Sequence, residues 1–281
     1  MKTKFMIKKI LINIYTIFSK VYVLIFGRRF MQKINHIIFS LSLKAKGYSN
    51  YGDHKKTGES NFIDIIKSEL NLCLDIGANK GNYSKLLLRN TGTKVIAFEP
   101  MQGSFTDLKK IKEIYGNRID LFNFAIGDEN AQKKIYFSND RSELASFNKD
   151  SNKLSFVKNK NKLSQIVNIK KIDDLVILKS VNNIDLIKID TEGYEMNVIV
   201  GGLNLINHIK PKFIQIEFNW HQLLNNQTIY NFSRILKDYK IAQILPHGYP
   251  LNEINPIRPE SNIFHLSNFV FIHQDISKKY L

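Results

Sequence analysis

The chain is poor in cysteine, with Cys73 alone among 281 residues. No intrachain disulfide can form, and no Cys/His cluster has zinc-ligand spacing, so a reducing, cytoplasmic setting without a structural metal is expected. Acidic residues are missing from the first 52 positions, Asp53 being the first carboxylate. No internal repeat is present. What the chain does have is apolar content, 43% hydrophobic and 11% aromatic residues, enough to repay the entropy of folding and to exclude a disordered chain.

The 41 Lys and Arg against 25 Asp and Glu give a formal net charge of +16. Residues 1–46 carry ten basic side chains and no acid, which leaves only +6 for the rest. From Phe5 to Phe26 the sequence is apolar except at Lys8, Lys9, Asn13, Thr16, Ser19 and Lys20, and at 100° per residue these six share one arc of about 140°. The expectation is an amphipathic helix lying on an anionic membrane surface. Docking on the rest of the chain and spanning are the competing readings, Lys20 counting against a span and against a cleaved signal peptide. Gly27-Arg28-Arg29 breaks the helix, and a second apolar-periodic stretch follows at residues 30–43. Because the excess charge sits on an apolar segment instead of along a cleft, no nucleic-acid partner is assigned.

After a polar connector at residues 47–60, short apolar runs alternate with helical patterns. Residues 71–76, 94–98, 120–125, 185–189 and 212–218 read as buried strands; 82–89, 103–115 and 193–205 read as helices. A helix at 226–238 and strands at 241–245 and 268–273 complete a doubly wound, mostly parallel sheet. The division expected is a helical extension at 1–46 and one α/β domain at 47–281. Residues 133–170 interrupt the domain as a β/loop insertion. Within the lysine-rich stretch 149–171, anion contact and a merely solvated loop are both open readings.

In such sheets ligands bind beyond the carboxyl ends of the strands. The first strand runs into Asp75-Ile-Gly77-Ala78-Asn79-Lys-Gly81, a glycine turn opening a helix. The dinucleotide fingerprint needs a third glycine and a pyrophosphate on the helix N-terminus. Here only Gly77 and Gly81 are present, and Asp75 would repel a pyrophosphate, whereas a carboxylate suits the ammonium and sulfonium of S-adenosylmethionine. The second strand ends in Phe98-Glu99-Pro100, and an acid there accepts hydrogen bonds from both hydroxyls of a ribose.

These motifs, with Asn123-Phe-Ala-Ile-Gly-Asp128, Ile184-Asp-Leu-Ile-Lys-Ile-Asp-Thr-Glu-Gly-Tyr-Glu195, Gly201-Gly202 and Pro211-Lys-Phe-Ile-Gln-Ile-Glu217, resemble in order those of the FkbM family of S-adenosylmethionine-dependent methyltransferases. The resemblance spans roughly residues 70–220. It implies a class I methyltransferase fold of seven strands with the last antiparallel, and usually O-methylation of saccharide or secondary-metabolite hydroxyls. Carried over by position, it implies that Asp75 to Gly81 hold the methionine end, Glu99 the ribose and Ala125 the adenine edge.

In that fold the fourth strand faces the transferred methyl. Asp190 and Glu192 at its end, with Glu217 at the end of the fifth, are placed to orient or deprotonate a hydroxyl. His221 offers a base suited to neutral pH, although a surface histidine is the alternative. The carboxylate trio could also hold a divalent cation; caps on helix N-termini account for Glu192 and Glu195 equally well, and no metal is assigned. Trp220 and the tyrosines near it could stack on sugars or simply fill the core. The function expected is O-methylation of a glycan or glycolipid intermediate at the inner membrane face. An RNA methyltransferase and a non-catalytic membrane-docking module are the alternatives, and the oligomeric state is left open.

Overall fold

The structure is a computed structural model and describes residues 2–154 and 160–281. Its contacts divide the chain into two compact units, residues 1–46 and 47–281.

The first unit holds α1 (Lys2–Phe26) and α2 (Gln32–Ala45), joined by a short turn at Arg29–Met31. The segments Leu11–Phe26 and Arg29–Ala45 meet at 98°. A helix C-terminus leaves carbonyls without partners; here Asn35 Nδ2 donates to the Phe26 carbonyl at 2.8 Å, and Tyr22 Oη donates to Asn35 Oδ1 at 3.0 Å. Large apolar side chains stay exposed on both helices, among them Ile14, Phe18, Val21, Ile37 and Leu41. Among the described residues no single helix is long and apolar enough to cross a membrane, whereas the bent pair together passes that test by length and composition.

The second unit opens with α3 (Glu59–Ile66) and continues through β1 (Leu72–Ile76), α4 (Asn82–Asn90), β2 (Lys94–Phe98), α5 (Gln102–Tyr115), β3 (Ile119–Phe122), β4 (Ala125–Ile126), β5 (Ala131–Phe137) and β6 (Leu163–Lys170). Next come β7 (Leu186–Ile189), α6 (Glu195–Gly201), α7 (Leu203–Ile209), β8 (Phe213–Phe218), α8 (Trp220–Leu224) and α9 (Ile229–Ile235). The chain closes with β9 (Tyr239–Ile244), β10 (Leu251–Glu253), β11 (Ser267–His273) and α10 (Gln274–Ser277). The main sheet has the order β10-β9-β11-β8-β7-β1-β2-β3. The neighbours from β3 across to β8 pair in parallel, and β11 is antiparallel to both β8 and β9. Strands β1, β2, β7 and β11 are buried over nearly their whole lengths, as a sheet covered on both faces requires. Strand order reverses between β1 and β7, which creates the crevice where such sheets bind ligands.

This is the class I methyltransferase arrangement that the sequence leads one to expect, with local differences. A short strand, β10, adds an antiparallel edge to β9. The insertion is a second sheet, β4-β6-β5, whose inner face packs Ile135, Phe137 and Val167 on Met101. The single strand expected at 120–125 is two: Asn123 Nδ2 donates to the carbonyls of Glu99 (2.8 Å) and Pro100 (3.2 Å), turning the chain so that Ala125 enters the second sheet. The helix expected at 193–205 breaks at Gly202 into α6 and α7. The one expected at 226–238 shortens to α9, capped by Thr228. Residues 59 and 60, assigned to a polar connector, begin α3, which buries Phe62, Ile63 and Ile66. Part of the lysine-rich stretch, residues 155–159, lies outside the described residues.

Candidate active site

The carboxyl ends of β1, β2, β7 and β8 open on a cavity of about 410 Å³. At its floor the β1 turn and the end of β7 are in backbone contact. Gly77 has φ +79°, and a Cβ there would run into the carbonyl oxygen of Asp190, so only glycine fits. The N–H groups of Gly77 and Ala78 both donate to the Phe98 carbonyl at 3.0 Å, tying the turn to β2. Asp75 is buried and accepts a 2.5 Å hydrogen bond from Ser84 Oγ; burial pushes its carboxyl up to about 6. Glu99 is buried too, each oxygen accepting one backbone N–H, from Asn79 at 2.8 Å and from Met101 at 2.7 Å. Burial outweighs these bonds and pushes its carboxyl up to about 7. A carboxylate offers about four acceptor positions, so each Glu99 oxygen keeps one for a ligand.

On the β7 side the residues alternate between faces, which brings Lys188 and Asp190 to the same one. Lys188, 2% exposed, places Nζ 3.1 Å from Asp190 Oδ2. Glu192 follows in a left-handed backbone conformation, φ +52°. That turn is held by the buried Glu195, which accepts the N–H groups of Thr191 (2.9 Å) and Gly193 (3.1 Å) and a bond from Gln222 Nε2. Glu195 is thus the helix-capping carboxylate, while Glu192 faces the cavity. Asn219 Nδ2 bridges Glu217 Oε1 (2.8 Å) and Glu192 Oε2 (3.3 Å). Asp190, Glu192 and Glu217 offer carboxylate oxygens within 4.8 Å of one another, a spacing that could hold a metal ion. Burial, then the Asp190 charge, push both Glu192 and Glu217 well above the ordinary carboxylate range. Ionising the cluster fully is therefore opposed both by burial and by its own charge.

Ten of the residues expected at the site line this one cavity: Asp75, Gly77, Ala78, Asn79, Glu99, Pro100, Ala125, Asp190, Glu192 and Glu217. Two do not. Gly81 caps α4 with φ +78°, and a Cβ would strike Leu108 and Ile111, so helix packing by itself requires the glycine. His221 is 1% exposed, stacks on Trp220 at 3.7 Å, and lies behind the cavity wall with Nε2 3.2 Å from Glu192 Oε2. Neither ring nitrogen makes an aligned hydrogen bond, and burial lowers its pKa to about 4. A neutral imidazole walled off in this way is not a base for a substrate. Conversely, Lys188, His54 and Glu59 line the cavity without having been assigned to it. The only sequence signal for Lys188 was a lysine interrupting an otherwise apolar strand.

Several solved methyltransferases are similar to the chain. A precorrin-6y C5,15-methyltransferase of Geobacter metallireducens is 10% identical with a TM-score of 0.40, covering 77% of this chain and 88% of that one. An rRNA methylase of Streptococcus thermophilus is 10% identical with a TM-score of 0.40, over 76% and 93% of the two chains. A tRNA (uracil-54, C5)-methyltransferase of Pyrococcus abyssi, in complex with S-adenosyl-L-homocysteine, is 12% identical with a TM-score of 0.38, over 77% and 38%. No curated protein matches the sequence. The methyltransferase FkbM domain matches residues 75–240, more than half of the chain, and takes in the β1 turn, Glu99 and the whole carboxylate cluster. The chain belongs to the FkbM methyltransferase family, with S-adenosylmethionine as its methyl donor.

Proposed function

We propose that the chain methylates a hydroxyl of a neutral saccharide, part of a glycan or glycolipid intermediate, at the cytoplasmic face of a membrane. The observation that carries this reading is the charge of the cavity. Glu59, Asp75, Glu99, Glu143, Asp190, Glu192 and Glu217 line it, against Lys188 and Lys80. Carboxyl groups, ionised or protonated, hydrogen-bond to hydroxyls, and the ionised ones repel a phosphate backbone, which disfavours RNA and suits a polyhydroxyl acceptor. Trp220, also in the wall, adds an apolar ring for a sugar face.

The donor set fits S-adenosylmethionine. Glu99 keeps acceptor positions for the two ribose hydroxyls, and Asp75 and the cluster supply negative charge opposite an ammonium and a sulfonium. When bound, that cofactor supplies a methyl already activated by positive sulfur, so the protein's task is alignment and removal of one proton. Asp190, fixed by Lys188, and Glu192 and Glu217, bridged by Asn219, orient the acceptor oxygen. The exposed apolar faces of α1 and α2, with ten basic residues and no acidic one in the same unit, support a membrane-bound acceptor.

The test is to incubate the protein with S-adenosyl-[methyl-³H]methionine and either the neutral glycolipid fraction of its source membranes or total RNA from the same cells. Label in the glycolipid, stable to base as an ether is, is the expected outcome. Label confined to RNA would replace the reading.

A further inference from the structure

The wall of the cavity formed by the chain preceding β1 lies outside the family match, yet it carries a histidine and a carboxylate in register. His54 Nδ1 is 2.8 Å from Glu59 Oε2, and both residues line the cavity. Glu59, the first residue of α3, is 5% exposed. Its Oε2 also accepts from Thr57 Oγ1 at 2.8 Å, its Oε1 accepts from Gln215 Nε2 at 2.7 Å, and Lys188 Nζ stands 3.9 Å away. Burial opposes ionisation of Glu59, but the His54 hydrogen bond and the Lys188 charge outweigh it and hold the carboxyl down at about 2.

An ionised carboxylate only accepts hydrogen bonds. His54 must therefore carry its hydrogen on Nδ1 and present the Nε2 lone pair, the tautomer that a base for a hydroxyl requires. The ring is also fixed in orientation, edge-on to Tyr83 at 5.6 Å and 81°. The contrast with His221 is direct: one histidine is walled off from the cavity, the other is a 28% exposed group in its lining with an anion behind it.

We propose that His54 is the base of the reaction and Glu59 its positioning residue, an inference that rests on the O-methylation reading. The acceptor O–H bond breaks and its proton passes to His54 Nε2. The oxygen lone pair forms the new bond to the methyl carbon, while the carbon–sulfur bond breaks with its electron pair retained on sulfur, leaving a neutral thioether. The imidazolium is stabilised by Glu59 and gives its proton to solvent.

The charged and titratable groups facing His54 are Glu59 on α3, Asp75 on β1, Tyr83 on α4 and Lys188 on β7. Burial disfavours the imidazolium and Lys188 does so as well, but the Glu59 hydrogen bond and charge prevail, and the His54 pKa is raised. Imidazole ¹⁵N NMR of the full chain without cofactor is the first measurement. The expected result is a His54 signal with Nδ1 protonated, a pKa above the ordinary 6.5, and a fall below it in Glu59→Gln, where burial remains without the anion. The second is methyl transfer to the neutral glycolipid fraction by His54→Gln, a change at a partly exposed site that spares the core. Its kcat should fall about 10²–10³-fold, while S-adenosylmethionine affinity by calorimetry stays within about threefold. A His54→Gln protein with kcat within about threefold of wild type would overturn the proposal and leave the methyltransferase reading intact. A neutral His54 that carries its one hydrogen on Nε2, seen above its pKa, would also overturn it. Wild type that binds S-adenosylmethionine but labels only RNA would overturn the reading and the proposal together.

Discussion

Lys188 and Asp190 stand two residues apart at the end of β7 with Nζ and Oδ2 3.1 Å apart, a buried cation and an anion about one-third exposed on one face of the central strand. The lysine also lies 3.9 Å from Glu59 Oε1, so one ammonium serves both walls of the cavity. Removing one partner of a buried pair leaves the others uncompensated and costs about 3–5 kcal/mol. Lys188→Met should lower unfolding free energy by about that amount in urea titration. A loss under about 1 kcal/mol would mean that the ammonium is not what balances the carboxylates.

Glu99 is the ribose partner in this account. Glu99→Ala removes the acceptor for two hydroxyls and strands the N–H groups of Asn79 and Met101. Calorimetric affinity for S-adenosylmethionine should weaken by about 1.5–3 kcal/mol. Unchanged affinity would move the ribose elsewhere.

The same residue makes stability depend on pH. Its folded-state pKa, about 7, exceeds the ordinary 4.5 because of burial, so the folded protein holds the proton more tightly. That contribution is fully present below about 4.5 and is lost as pH rises to about 7. Relative to Glu99→Gln, wild type should lose of order 3 kcal/mol across that window. Taking the difference between the two proteins cancels other groups, including His221, whose depressed pKa acts in the opposite direction. Parallel stability curves would contradict the buried-acid description.

At the N-terminal unit, Ile14→Glu with Val21→Glu places two acids on the exposed apolar face of α1. Wild type should co-sediment with anionic phospholipid vesicles, less so as salt rises, since each basic residue near the surface contributes about 1 kcal/mol and is screened. The double variant should stay in the supernatant with unchanged S-adenosylmethionine affinity. Wild type that ignores vesicles would remove the membrane from the account.

Much of this was legible in the sequence because strand ends and turns obey local rules. The run Lys94–Phe98 has the bounds of β2, and Asp75, Gly77 and Glu99 are chemically conspicuous where they stand. What escaped depends on the environment that the fold creates. Gly81 looks like a ligand-loop glycine, yet its φ and its contact with Leu108 and Ile111 answer to helix packing. His221 looks like a base until burial makes it neutral. Helix α3 has only two turns, too few for a periodicity signal, and its polar first residue, Glu59, reads as the end of a loop until Gln215 and Lys188 are seen against it. Asn123 splits a strand through two side-chain hydrogen bonds that no pattern of apolar residues encodes.

The central claim, that the acidic cavity serves a neutral hydroxyl acceptor, is tested most directly by the identity of the methylated atom. The protein would be supplied with S-adenosyl-[methyl-¹³C]methionine and the combined glycolipid and RNA fractions of its source cells, and the product examined by carbon–proton correlation NMR. The account expects a labelled methoxy carbon correlated through oxygen to a proton of a sugar ring in the glycolipid. A labelled methyl on a nucleobase carbon or nitrogen would contradict it.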